Sequence, residues 1–284
     1  MAVLQEEPEV VMSFGDVLVS MLLGLVGIGV SLYLMRGRLL PAWTMRNEPD
    51  PDLPWNPMHL VLLFLVALLS NSAVNLILYL IYGDVGAEEL GTVSILVSSI
   101  FDTGLVAVGV WTLGQTLGAG SEAYGLHKAP SRRHFFIGLA TCVACVPALF
   151  GASLVWSGLL HLIGEQVEPQ DVSKLVQAAA LHERWAVLLL AGVIVPILEE
   201  FLFRGFLQTW LVKAQGAALG ILLTSFFFAL FHETSSFGPI LVIALAAGCI
   251  RHATGSLWPA VVVHIINNSI VTCWLFYGAG SLGS

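Results

Sequence analysis

Charged residues are scarce in this sequence. Its 284 residues include 11 basic and 19 acidic ones, 11% in all, whereas a soluble domain usually carries about 25%. This shortage argues against a water-soluble domain, and the lack of a basic patch at a net charge of −8 argues against a nucleic-acid partner. Cysteines are also few, and Cys142, Cys145, Cys249 and Cys273 indicate no disulfide framework.

Long apolar runs fill most of the chain, which is 57% hydrophobic with a mean hydropathy of +0.88. A membrane-spanning helix needs about 20 mostly apolar residues, and the runs are too long for the alternating segments of a membrane β-barrel. The fold class predicted is therefore an all-α polytopic membrane protein, with about eight transmembrane helices enclosing an intramembrane polar cavity. The eight predicted spans, of which the seventh is short, are residues 14–35, 57–82, 90–117, 135–163, 185–212, 215–233, 238–252 and 257–278.

The basic residues predict the orientation, because Lys and Arg collect in cytoplasmic loops. With eight spans and an outer N-terminus, the outer loops hold only Lys174 and Arg184, and the chain is predicted to be N-out and C-out. The inner loops would hold Arg36, Arg38, Arg46, Lys128, Arg132, Arg133, Lys213 and Arg251.

Three ionisable residues interrupt the fifth apolar span, namely Glu199, Glu200 and Arg204. A charge at the centre of a membrane helix costs roughly 2.5–3.5 kcal/mol, so a functional role is the first interpretation. Glu200 and Arg204 are four residues apart on one helix face and can form an ion pair. A purely structural ion pair would also explain these two residues. Glu199 points about 100° away and is left without a partner on its helix. We therefore predict Glu199 as the reactive carboxyl and the other two as its support.

Two further polar sites fall in apolar spans. His232 ends the sixth span, and His264 and Asn268 lie four residues apart in the eighth. A single histidine in a membrane helix is often only a packing residue. Two histidines together with a pair of carboxyl groups favour a functional site. His264 and Asn268 share a helix face and can aim donors at one developing negative charge. Asn267 points elsewhere and has no predicted catalytic role.

These residues resemble, in order, the three motifs of the CPBP intramembrane proteases, also called the ABI family. The motifs are Glu199-Glu200-x-x-x-Arg204, Phe228-x-x-x-His232 and His264-x-x-x-Asn268, and Gly255-Ser256-Leu257-Trp258-Pro259 is similar to the usual lead-in. The resemblance covers about residues 185–275. It divides the chain into residues 1–134, with three helices and no motif, and residues 135–284, which hold the catalytic core.

The resemblance implies hydrolysis of a peptide bond within the membrane. By analogy Glu199 and His232 activate a water, His264 and Asn268 stabilise the oxyanion, and Glu200 and Arg204 support Glu199. The implied substrate is a membrane-embedded or lipid-modified protein, and the predicted cut lies near the C-terminus of that protein. The resemblance does not choose among a CAAX tail, a bacteriocin leader and a C-terminal sorting tail. We predict no cofactor, although Glu199, His232 and His264 could hold a divalent metal such as zinc.

Other functions stay open at this stage. Buried Glu and His residues also serve proton- or ion-coupled transporters, although no internal repeat is visible here. A catalytically silent membrane scaffold is a third possibility. Glu199 lies 14 residues before Lys213, about 21 Å from the inner helix end, which places the predicted site in the outer half of the membrane.

Overall fold

The computed structural model describes residues 14–35, 54–83, 92–165, 174, 176–177 and 179–277. Over these residues the chain forms eight main helices and no strand. The helices are α1 (Phe14–Met35), α2 (Pro57–Tyr82), α3 (Thr92–Thr116), α4 (Arg132–Leu162), α5 (Arg184–Gln215), α6 (Ala217–Leu230), α7 (Phe237–Thr254) and α8 (Trp258–Tyr277). The predicted all-α membrane fold is confirmed, and the chain is an integral membrane protein.

Helix lengths correct the prediction at the sixth and seventh spans. Among the described residues, six helices are long and apolar enough to cross a membrane, and one of them is the seventh, which the sequence marked as short. The sixth is the shorter one: α6 has 14 residues and rises about 21 Å, against a hydrocarbon core of about 30 Å. The apolar run continues through Phe231, but the helix has already ended. Helix α6 alone is therefore too short to span the hydrocarbon core.

Helix α1 packs closely on α4 through small residues. A Cβ atom at Gly24 would lie 2.5 Å from the carbonyl oxygen of Gly151, so that only glycine allows this approach. The hydroxyl of Ser31 accepts a hydrogen bond of 2.8 Å from the N–H of Ala148. This contact supports α4, which in turn packs against α7 and α8.

Helix α5 contains two π-helical segments. The first is Leu190–Ile194 and the second is Phe201–Leu207, with one ordinary α-helical stretch, Val195–Glu200, between them. Such segments are rare and occur often at functional sites. Both carboxyl groups of the first motif lie at the end of the stretch between them.

The loop between α3 and α4 is attached to the second π segment through Tyr124. This residue lies in a short 3₁₀ helix, Ser121–Tyr124, and is fully buried. Its ring stacks on Phe201 with centroids 5.2 Å apart, and its hydroxyl donates a 3.2 Å hydrogen bond to the carbonyl of Val110. Burial raises the pKa of Tyr124 to about 12, so the hydroxyl remains a protonated donor at neutral pH.

The same loop also holds the junction between α7 and α8. The N–H of Leu257 donates to the carbonyl of Gly125 at 3.0 Å, and Trp258 donates through its indole N–H to Lys128 at 2.8 Å. The ammonium of Lys128 reaches the carbonyl of Thr254 at 3.2 Å. Two of the predicted inner loops therefore meet at one end of the bundle. Arg36, Arg38 and Arg46 lie outside the described residues, and the N-out, C-out orientation stays a prediction.

The four cysteines are all free thiols, as the sequence predicted. Cys142 and Cys145 are buried in α4, Cys249 is partly buried in α7, and Cys273 is exposed on α8. Cysteine at such positions behaves as a small apolar side chain.

Candidate active site

Pro196 explains why α5 leaves its regular path just before the carboxyl pair. Proline has no N–H to donate to the preceding turn, so carbonyl groups there lose a helical partner. The N–H of Val195 shifts to the carbonyl of Leu190, five residues back. The carbonyls of Ala191 and Gly192 are then available to a neighbouring helix.

Helix α8 supplies the missing donors. The side-chain amide of Asn268 donates to the carbonyl of Ala191, and the hydroxyl of Ser269 donates to that of Gly192, both at 3.4 Å. A Cβ atom at Gly192 would lie 3.0 Å from the Ser269 hydroxyl, so glycine suits this contact. The third motif is thus attached directly to the helix that carries the first motif.

The predicted ion pair between Glu200 and Arg204 forms in the structure. Arg204 Nη1 lies 3.0 Å from Glu200 Oε1, and each side chain is only 1% exposed. The guanidinium also donates from Nη2 to the carbonyl of Ala244 in α7 at 3.2 Å, and its Cζ lies 4.3 Å from the ring centroid of Phe228. A buried ion pair needs such additional contacts to offset its lost hydration.

His264 lies between the two glutamates. Its Nδ1 is 2.9 Å from Glu200 Oε1, and its Nε2 is 3.6 Å from Glu199 Oε2. Glu200 therefore contacts the histidine of the third motif as well as Arg204. The Glu199 side chain is 22% exposed, whereas Glu200 is 1% exposed. Of the two carboxyl groups, Glu199 is the one that a water or substrate can reach.

His232 lies just beyond the end of α6. His232 Nδ1 lies 2.8 Å from the carbonyl oxygen of Phe228. A carbonyl only accepts, so Nδ1 carries the proton, and Nε2 of the neutral ring is a proton acceptor.

Phe228 is the residue of this site to which sequence reasoning assigned no role. It is 2% exposed, and its ring centroid lies 4.8 Å from that of His232 and 5.5 Å from that of His264. The Arg204 guanidinium covers its face. The available signal was its position four residues before His232, which puts both side chains on one helix face.

Replacing Phe228 with Leu should lower peptide cleavage about tenfold, because one aromatic contact beneath a cation and two beside histidines would be lost. The measurement is the cleavage rate per folded molecule. Phe227→Leu is the matched control, since Phe227 is 41% exposed and its ring contact is with Phe226 rather than with the three side chains around Phe228. Equal rates for the two variants would contradict a positioning role for the Phe228 ring.

The six predicted site residues are therefore connected by contacts of two kinds. Glu199, His264, Glu200 and Arg204 form a continuous chain of charged and polar contacts. His232 joins them through Phe228, and Asn268 joins α5 at Ala191, two turns before Glu199. Asn267 donates to the Asn268 side chain at 3.4 Å, so it lies beside the site.

The possible metal ligands do not converge in this structure. Among the residues that it describes, no three His, Cys, Asp or Glu side chains are placed to hold an ion. The absence of a cofactor, with a divalent metal as the alternative, stays a prediction.

One segment of the chain matches a known protein family. Residues 181–270 match the family described as Rce1-like, type II CAAX prenyl endopeptidase, and this segment contains all six predicted site residues. The chain matches no curated protein and no solved structure. The family match over residues 181–270 confirms the resemblance to the CPBP family that the three motifs indicated.

Proposed function

We propose that this chain hydrolyses a peptide bond of a membrane-embedded or lipid-anchored protein, near the C-terminus of that protein, with a water activated by Glu199 and His232. The family match supports a CAAX-type intramembrane endopeptidase in general terms. The observation that carries the mechanism is the position of Glu199, a partly exposed carboxyl that faces His264 while its neighbour Glu200 is buried.

The first step is attack by water on the scissile carbonyl. Glu199 accepts a proton from the water as its oxygen bonds to the carbonyl carbon, and Nε2 of His232 is a second acceptor that can orient the water. The carbonyl π electrons move onto oxygen and give a tetrahedral oxyanion. Glu199 then returns the proton to the amide nitrogen, the C–N bond breaks, and a carboxylic acid and an amine leave. No acyl-enzyme forms in this sequence.

The second requirement is a donor for the oxyanion, which we assign to His264 and Asn268. When His264 Nδ1–H donates to Glu200, Nε2 can donate only if the ring carries a second proton. Both ring nitrogens of His264 face carboxyl groups, Nδ1 at 2.9 Å from Glu200 and Nε2 at 3.6 Å from Glu199.

Asn268→Ala should lower kcat about 10²-fold, as the loss of one oxyanion donor does elsewhere. The substrate KM should change far less, because the interaction strengthens as negative charge develops on the oxygen. Asn267→Ala is the control on the adjacent residue, and we expect a change of only a few fold. If Asn267→Ala lowers kcat as much as Asn268→Ala does, the assignment of Asn268 as an oxyanion donor is contradicted.

The substrate class follows from the setting of the site. Five of its six residues lie in helices long and apolar enough to span a membrane, so the scissile bond must itself reach the membrane, through a lipid anchor or a spanning segment. The matched family is named for prenylated CAAX tails, which carry a lipid anchor at the C-terminus. A lipid-anchored C-terminal peptide is therefore the first substrate to try.

The test uses purified protein in lipid vesicles with three peptides. These are a prenylated CAAX peptide, the same peptide without its lipid, and a spanning C-terminal tail. The proposal expects cleavage of at least one anchored peptide and little cleavage of the peptide without a lipid. Intact peptides, together with proton flux that depends on Glu199, would instead support a transporter. If neither cleavage nor proton flux is detected, the proposal is refuted and a membrane scaffold is the interpretation that is left.

A further inference from the structure

A small cavity lies behind the carboxyl pair, on the side that faces α7. Its polar wall is formed by Glu200, Arg204 and His264, and Ala244 and Ala247 of α7 form part of its apolar wall. The cavity is large enough for about one water molecule. Glu199 and His232, between which the hydrolytic water is proposed to bind, are not among its lining residues.

Three buried polar atoms of this wall have no hydrogen-bond partner among the described residues. They are Oε2 of Glu200 and Nε and Nη1 of Arg204. Nη1 lies 3.0 Å from Glu200 Oε1 as an ion pair, but it lacks the alignment of a hydrogen bond. Buried polar atoms without partners are rare in folded proteins and are commonly satisfied by an ordered water.

We propose that this cavity binds a single ordered water, distinct from the hydrolytic one. The water accepts from an Arg204 N–H and donates to Glu200 Oε2, which leaves Glu200 Oε1 to His264. Each side chain is only 1% exposed, so bulk solvent does not reach these atoms. The site is a small pocket in which one water molecule lies between the carboxyl group of Glu200 and the guanidinium of Arg204.

The water would hold Glu200 in place. Glu200 receives the Arg204 and His264 contacts on one oxygen, and its second oxygen needs a donor of its own. With that donor present, the Glu200 carboxyl group holds the His264 ring in the orientation required for the oxyanion. This consequence for catalysis rests on the proposed function, whereas the presence of the water does not.

The direct test is a high-resolution structure of the Glu199→Gln variant in lipid, which does not depend on peptide cleavage. We expect density for one water within about 3.2 Å of Glu200 Oε2 and of an Arg204 nitrogen. A cavity without density, in a map that resolves other buried waters, would overturn the proposal. Because the variant is inactive by design, failure of the proposed protease function would not affect this result.

A second test fills the cavity from α7. Ala247→Val adds two methyl groups to its wall and should lower kcat about tenfold, as the loss of a hydrogen bond to a charged group would. Ala246→Val is the matched control, because Ala246 is buried in α7 outside the cavity wall. A folded Ala247→Val protein with wild-type kcat would contradict a role for the water, and the density in the structure of the first test decides if the Val variant does not fold.

Discussion

Glu199→Gln should abolish peptide cleavage, by about 10³-fold or more, while the protein stays folded in the membrane. The amide keeps the size of the carboxyl but cannot accept a proton from water. Its contact with His264 at 3.6 Å is long and lies at the exposed side of the site, so the fold does not depend on it. The measurement is kcat/KM on an anchored peptide, with folded protein quantified by thermal unfolding.

The control is Glu183→Gln, which removes one negative charge just before the start of the same helix. Glu183 accepts a hydrogen bond from the N–H of Ala180 and contacts no residue of the site. We expect near wild-type cleavage from this variant. Substantial activity of Glu199→Gln, or an equal loss in both variants, would contradict the role of Glu199 as the base.

Arg204→Met should destabilise the protein by roughly 3–5 kcal/mol, the usual cost of leaving one member of a buried ion pair without its partner. Glu200 is 1% exposed and would be left as a buried carboxylate with only His264 beside it. Arg204 also connects α5 to α7 through Ala244, and that contact would be lost as well. The measurement is the free energy of unfolding in detergent or lipid.

The double variant Glu200→Gln with Arg204→Met separates stability from function. Removing both charges often costs little, so we expect most of the lost stability to return. Cleavage should not return, because His264 would lack the carboxylate that orients its ring. Recovery of activity along with stability would show that the pair has only a structural role.

The local part of the site was predictable because helix geometry depends only on spacing. Glu200 and Arg204 are four residues apart, and their pairing follows from the helical period alone. The same period places Glu199 away from them and Phe228 beside His232. The apolar runs likewise predicted the membrane fold, since a span is recognised by length and composition.

Contacts between helices could not be predicted from the sequence. Glu200 was expected to support Glu199, but the structure places it against His264, which is 64 residues later. The bond from Asn268 to Ala191 depends on a carbonyl released by Pro196 and a π segment, and neither period nor hydropathy shows that shift. The short α6 was missed for a related reason: Phe231 continues the apolar run after the helix has ended.

The most direct measurement is the mass of the new C-terminus when an anchored peptide is cleaved in ¹⁸O-labelled water with hydroxylamine present. Direct attack by an activated water predicts an acid that carries one ¹⁸O from the solvent, with no hydroxamate, and no product from the Glu199→Gln variant. A hydroxamate would reveal a covalent acyl-enzyme, which hydroxylamine can intercept. That product, or an intact peptide with the wild-type protein, would contradict water activation by Glu199.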